Sequence, residues 1–208
     1  MKPAFRTRRA ILGVVMTAFV SVSLPAFVAR AETTPPDELV KKLASEMTAA
    51  VRADPELQNP GSTKISDLVQ KMVVPRFDFE RITQIAMGRN WTKADPSQQK
   101  AIVTEFSRLL TRTYQNAIAN LKDLDVNVKA TKATTPNVDV TVKTEMLGRP
   151  QPVAIDYNLI NGPNGWRVYD VSVQGISLVA AYRDEFTGLV SSSGVDGLIE
   201  SLRKKNGS

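Results

Sequence analysis

The chain has 208 residues, with 27 Lys and Arg against 21 Asp and Glu, and contains neither cysteine nor histidine. Those two absences exclude a Ser-His-Asp or Cys-His catalytic apparatus, an imidazole- or thiolate-bound metal and a disulfide framework. The length suffices for one domain with a sizeable core.

The first 31 residues read as an export leader. Lys2, Arg6, Arg8 and Arg9 make a basic start, Ala10 to Ala29 is apolar, and Ala29-Arg30-Ala31 supplies a small-x-small cleavage pattern before Glu32. A retained membrane anchor is the alternative, opposed by Pro25, the serines and the cleavage pattern. Thr7-Arg8-Arg9-Ala10-Ile11-Leu12 resembles a twin-arginine signal, and the export route stays open. The leader takes five of the 27 basic residues and none of the 21 acidic ones, leaving 22 against 21. The basic balance therefore belongs to the leader, and no nucleic-acid partner is expected.

Residues 32–208 read as a single domain of helices, then strands, then helices. Pro35 to Glu56 carries Leu39, Val40, Leu43, Met47, Ala50 and Val51 at helical spacing. Asn59-Pro60-Gly61 is a turn, and Ile65 to Val74 is a second helix ended by Pro75. A short helix in "RFDFERITQIAMGRNW" stops at Gly88. Pro96 to about Leu121 is the clearest helix, with Asp95 as N-cap, Pro96 at the first helical position and Gln98 completing a capping-box variant. Its apolar face runs through Ile102, Phe106, Leu109, Leu110, Tyr114 and Ile118.

Four strand patterns follow: Leu124–Lys132, Asn137–Leu147, Pro152–Ile160 and Gly165–Gln174. Short linkers, Thr134-Thr135-Pro136, Gly148-Arg149-Pro150 and Asn161-Gly162-Pro163-Asn164, favour an antiparallel meander. Val138, Val140 and Val142 face one way and Asp139, Thr141 and Lys143 the other; Val153, Ile155, Tyr157 and Leu159 oppose Asp156 and Asn158. The expected architecture is α+β: a four-stranded antiparallel meander covered by helices from both ends of the chain. Leu178 to about Val190 reads as helical, followed by "GVDGLIESLRKKN", whose Arg203-Lys204-Lys205 suits the last turn of a helix.

Gly175-Ile176-Ser177 occupies a turn where a hydrolase would hold a nucleophile, but G-x-S-x-G would need glycine at Val179. Ser177 is expected to cap the helix that follows. Ser97-Gln98-Gln99-Lys100 matches S-x-x-K without its companion motifs. Asp78 and Glu80, or Asp184 and Glu185, have no spacing that assigns acid–base work, and Asp78 suits a helix cap or an arginine partner. No EF-hand, P-loop or G-x-G-x-x-G is present, so no metal and no cofactor are expected. A long helix laid over a twisted meander can enclose an apolar cavity, and apolar cavities hold apolar ligands.

Three stretches carry a family resemblance: Val73 to Ile118, "YDVSVQGISLVAAYRDEF" (Tyr169 to Phe186) and "GVDGLIESLRKKN". In order and content they resemble the MlaC family, the periplasmic phospholipid carriers of the lipid-asymmetry pathway, also called the toluene-tolerance auxiliary family. The resemblance implies a non-enzymatic α+β protein of the periplasm that encloses phospholipid acyl chains and leaves the headgroup near solvent. It also implies two protein partners, an outer-membrane lipoprotein–porin complex and an inner-membrane ABC transporter complex bearing a substrate-binding ring.

One chain of ~16 carbons resists entering water by roughly 12 kcal/mol at about 0.8 kcal/mol per methylene, which a carrier must match by apolar burial. Candidate lipid-lining residues on the covered strand face are Val140, Val142, Ile155, Tyr157 and Val168. Tyr114, Trp166, Ile176 and Leu178 join them. Gly175 is the expected flexible point of the pocket mouth, with Ile176, Leu178 and Val179 lining or covering it. A filled-core adaptor that works only through protein partners, and an enzyme on an open cone-like α+β fold, are the other readings.

Overall fold

Asp95 shows how closely local sequence dictates local structure in this chain. Its carboxylate accepts from the backbone N–H groups of Ser97 and Gln98, and Gln98 reaches back to the Asp95 N–H, a complete capping box. The computed structural model describes residues 34–59, 62–131, 139–163 and 165–207. The leader, Pro60-Gly61, Thr134-Thr135-Pro136, Asn137, Val138 and Asn164 lie outside the described residues.

The helices are α1 (Pro36–Ala53), α2 (Thr63–Met72), α3 (Phe79–Met87), α4 (Pro96–Ala119) and α5 (Arg183–Asn206). Asp78 caps α3, its carboxylate accepting from the Arg81 N–H at 3.0 Å, and α3 stops at Gly88 as expected. The strands β1 (Asp125–Val128), β2 (Val140–Leu147), β3 (Val153–Gly162), β4 (Gly165–Val173) and β5 (Ile176–Ser177) form an antiparallel sheet in chain order. The α+β class and the meander are as expected, but the sheet has five strands and not four.

The fifth strand arises at Gln174-Gly175. Both residues have positive φ, 51° and 80°, the backbone of a two-residue hairpin turn whose twist matches the strands it joins. The turn folds Ile176 and Ser177 back to pair with Val173 and Ser172. The expected helix from Leu178 is thereby displaced: a short 3-10 turn spans Ala180–Tyr182, and α5 begins at Arg183. Helix α5 then runs through the separate C-terminal segment expected from sequence, with a break at Gly194 (φ 70°, ψ −175°). That conformation is open essentially only to glycine, so the two helical halves change direction there.

Buried side chains gather in three clusters. One joins α3, α4 and α5, with Phe106 at its centre against Tyr182 and Phe186, ring centroids 4.9 Å away in each case. A second joins α1, α2 and the end of α4 through Val51, Ile65, Val69 and Ala119. The third lies on the sheet, where Val140, Val142, Leu159, Trp166 and Val168 meet Val40 of α1. The first and third clusters meet at part-buried Phe77, between the helices and the sheet.

Candidate functional site on the apolar face of the sheet

Strand register brings the candidate residues into rows. Val140, Leu159 and Val168 stand side by side, then Val142, Tyr157 and Val171, then Thr144, Ile155, Val173 and Ile176. Because neighbours across a ladder share a face, these rows make one continuous apolar surface. Its first row is buried and Val142 is 0% exposed. Towards the other end Ile155, Val171, Val173, Met146 and Val153 are part-buried, and Ile176 is 69% exposed. The surface is thus sealed by Val40, Leu39 and Phe77 at one end, and at the other it is half open along β3, β4 and β5 while Thr144 of β2 stays buried at 2% exposure.

Thr144 sits within this surface without leaving a polar group unpaired, since its hydroxyl donates to the Ile155 carbonyl at 2.8 Å. The opposite face is polar, with the Thr141 hydroxyl and Asn158 amide oxygen 2.7 Å apart. Arg81 lies 4.7 Å over the Tyr169 ring and pairs with Asp139, which also accepts from the Tyr169 hydroxyl at 3.1 Å. Ionic side chains are held on that outer side, away from the apolar surface.

Of the nine candidates, Val140, Val142, Trp166 and Val168 share the sheet cluster, and Tyr157 packs against it. Ile155 occupies the half-open rows, Leu178 is part-buried after the hairpin, and Ile176 is the exposed tip of β5. Tyr114 stands on the helical side, where burial raises its phenol above the ordinary value and the nearby Tyr182 phenol adds to the effect. Val179, expected at the mouth, is instead buried in the helical cluster.

Val40 and Leu39 of α1, Phe77 and Val171 also shape the surface. The α1 pair showed its helical period but not its destination. Val171 is concealed by a bulge: Val168 pairs with Leu159 but Asp170 pairs with Asn158, so Tyr169 is an extra residue and the alternation changes phase after it.

Burial pushes the Tyr157 phenol up to about 12 from an ordinary 10.0. A raised phenol pKa means the folded state favours the neutral form. The associated stability is complete below pH 10 and is lost as pH rises through about 12. Ultraviolet titration should find the Tyr157 phenol ionising only near pH 12, and Tyr157→Phe should remove that step and flatten the loss of stability across that window. Full ionisation of Tyr157 by about pH 11 in the folded protein would contradict this assignment.

Ser177, expected to cap the following helix, instead ends β5, and Val179 precedes the 3-10 turn. The Ser177 hydroxyl oxygen accepts from the Ala180 N–H at 3.0 Å, and Asp170 accepts from the Val179 N–H at 3.4 Å. Ser177→Ala should cost about 0.5–1 kcal/mol, within the range for a lost hydrogen bond, and leave any ligand retention as it was. Co-extraction of ligand from the variant at wild-type stoichiometry checks this.

Two grooves lie elsewhere. One of about 390 Å³ between α2 and α4 is lined by Ser66, Gln70, Ser107, Arg108, Thr111 and Arg112, among others. Another of about 260 Å³ lies beside Trp91 and Lys100. The lining of the first suits polar ligands, and neither includes the sheet face. Among the described residues no group of three or more Asp or Glu side chains could hold a metal. No described helix is long and apolar enough to cross a membrane.

A five-stranded antiparallel sheet with one apolar face, partly covered by α1 and Phe77 where helices from both ends of the chain were expected, defines an α+β protein built around an apolar surface. The chain belongs to the MlaC family: the family model described as MlaC protein matches residues 41–204. It is similar to the toluene tolerance protein ttg2D of Pseudomonas putida, 26% identical over 191 residues, covering 91% of this chain and 85% of that one. It is also similar to the intermembrane phospholipid transport system binding protein MlaC of Haemophilus influenzae, 20% identical over 198 residues, covering 93% and 90%. Among solved structures, a phospholipid-binding protein from Ralstonia solanacearum in complex with a phospholipid is 38% identical, with TM-score 0.77, covering 84% of this chain and 98% of that one.

Proposed function

We propose that this protein is a non-enzymatic phospholipid carrier that holds acyl chains against the half-open part of the apolar sheet face. The observation that carries the reading is the burial gradient along one face: sealed at Val140, Leu159 and Val168, part-buried at Ile155, Val171 and Val173. Apolar surface left partly uncovered is unfavourable unless something apolar covers it. Membership of the MlaC family and the likeness to a phospholipid-bound structure at 38% identity support an acyl chain as the cover.

The carrier works in the periplasm after removal of residues 1–31, by either export route. It passes lipid between an outer-membrane lipoprotein–porin complex and an inner-membrane ABC transporter complex with a substrate-binding ring. Transfer requires release as well as burial, and the Gln174-Gly175 hairpin beside exposed Ile176 is the proposed mobile edge. Proline cannot adopt the φ of 80° at Gly175, so Gly175→Pro should disturb the hairpin and lower lipid uptake from liposomes severalfold. Uptake at the wild-type rate would remove the hairpin from the mechanism.

The test of the function is mass spectrometry of an organic extract of the purified protein, prepared without detergent. Stoichiometric diacyl phospholipid is expected. An extract free of lipid, before and after incubation with liposomes, would leave the reading of an adaptor with a filled core.

A further inference from the structure

The four tyrosines of the chain differ in what their hydroxyls meet. Tyr169 donates to Asp139 at 3.1 Å. The phenols of Tyr114 and Tyr182 interact with each other. Among the described residues Tyr157 alone of the tyrosines has no hydrogen-bond partner for its hydroxyl, although it stands on the apolar face between Val142 and Val171. Its hydroxyl is not sealed in the protein either: among the described residues the sealed, unpartnered side-chain polar atoms are Arg81 Nε and Asn206 Oδ1.

The position is therefore a donor in apolar surroundings that remains open to an incoming molecule. Phenylalanine would fill the same volume on this face without leaving a hydroxyl to satisfy. Covering such a hydroxyl without giving it an acceptor leaves it unpaired and is unfavourable, so the molecule that covers it should bring one. An acyl chain alone offers it nothing, since methylenes carry no acceptor. The part of a diacyl lipid that carries acceptors and still enters an apolar site is the pair of ester carbonyls joining chains to glycerol. The phosphodiester is charged and stays with the solvent.

We propose that Tyr157 is the residue that reads the ester linkage of the lipid, its phenol O–H donating to an acyl carbonyl oxygen held beside the part-buried Val171. The inference rests on the phospholipid reading above and adds a specificity to it: ester-linked lipids are held in preference to ether-linked lipids of the same chains and headgroup. The phenol stays neutral throughout, and no covalent step is involved.

The experiment compares loading of delipidated protein from vesicles of diester and diether phosphatidylglycerol with matched chains. A neutral hydrogen bond predicts a preference of roughly three- to tenfold for the diester, and Tyr157→Phe should bring the two lipids within about twofold of each other. Infrared spectra of wild-type protein loaded with carbonyl-¹³C diester lipid supply a readout independent of the variant's folding. A carbonyl band shifted to lower frequency, as hydrogen bonding requires, and returned towards the unbonded position in Tyr157→Phe, is expected. Equal loading of both lipids with an unshifted band would overturn the role of Tyr157 while leaving lipid carriage intact. Failure to load either lipid would remove the carrier reading and this inference together.

Discussion

Phe106→Ala should lower the stability of the lipid-free protein by about 3–5 kcal/mol, the cost of deleting a fully buried aromatic side chain. Phe106 is 0% exposed and holds edge-on contacts to both Tyr182 and Phe186. Those contacts fasten the 3-10 turn and the first turn of α5 to the middle of α4. The surrounding helices are fixed at both ends: Asp95 caps α4, while Asn206 at the end of α5 donates to the Glu105 carbonyl and carboxylate at 2.9 and 2.8 Å. Arg112 in turn donates to the Asn206 carbonyl. Such a frame cannot easily collapse into the vacated volume, which places the cost towards the upper part of the range. For a chain of this size the midpoint of thermal unfolding should fall by roughly 10 °C. The measurement belongs on delipidated protein, because a ligand bound only by the folded state adds stability of its own. A loss under about 1 kcal/mol would mean that the helical cluster is loosely packed.

The helices with strong end signals were the legible part of the fold. Asp95 and Gln98, and Asp78 before α3, act locally, and local hydrogen bonds form wherever the chain lies. The strand faces were legible for a similar reason, since Val140 and Val142 against Thr141 and Lys143 need only the period of an extended chain. What escaped was set by pairing between distant residues. The Tyr169 bulge exists only relative to β3 and reverses the alternation, bringing Val171 onto the apolar face. Strand β5 is two residues long, too short to display a period, and its turn is Gln-Gly where Asn-Gly or Asp-Gly would have signalled a hairpin. Helix α5 looked like two segments because glycines interrupt its pattern, and the Gly194 break shows that the interruption has a geometric basis.

The candidate site was legible as a face and illegible as a surface with an open end. Alternation assigns Val142 and Ile155 equally to the covered side, yet one is fully buried and the other part-exposed. The difference comes from where Val40, Leu39 and Phe77 reach the sheet, and no strand pattern contains that information. Tyr157 reads as an ordinary core aromatic until its hydroxyl is found without a partner among the described residues, which requires knowing its neighbours in space.

That burial gradient makes Ile155→Glu the most direct test of where lipid lies. Ile155 is part-buried and pairs with part-buried Val173, so a carboxylate there can reach water without unfolding the sheet. Acyl chains could not pack against it, because a charge held in hydrocarbon costs several kcal/mol unless it is paired or protonated. Retained phospholipid should therefore fall by about tenfold or more, while the circular dichroism spectrum keeps its native form; each 1.4 kcal/mol lost corresponds to a factor of about ten. The same substitution two positions along the ladder should behave differently. Val142→Glu places the charge where the side chain is 0% exposed, against Tyr157 and beside the buried first row, so it should compromise folding itself. Thr141→Glu, on the polar face beside Asn158, should alter neither. Three glutamates within one sheet thus separate a binding surface, a core and a solvated side. Retention of lipid by a folded Ile155→Glu protein would place the acyl chains somewhere other than this face.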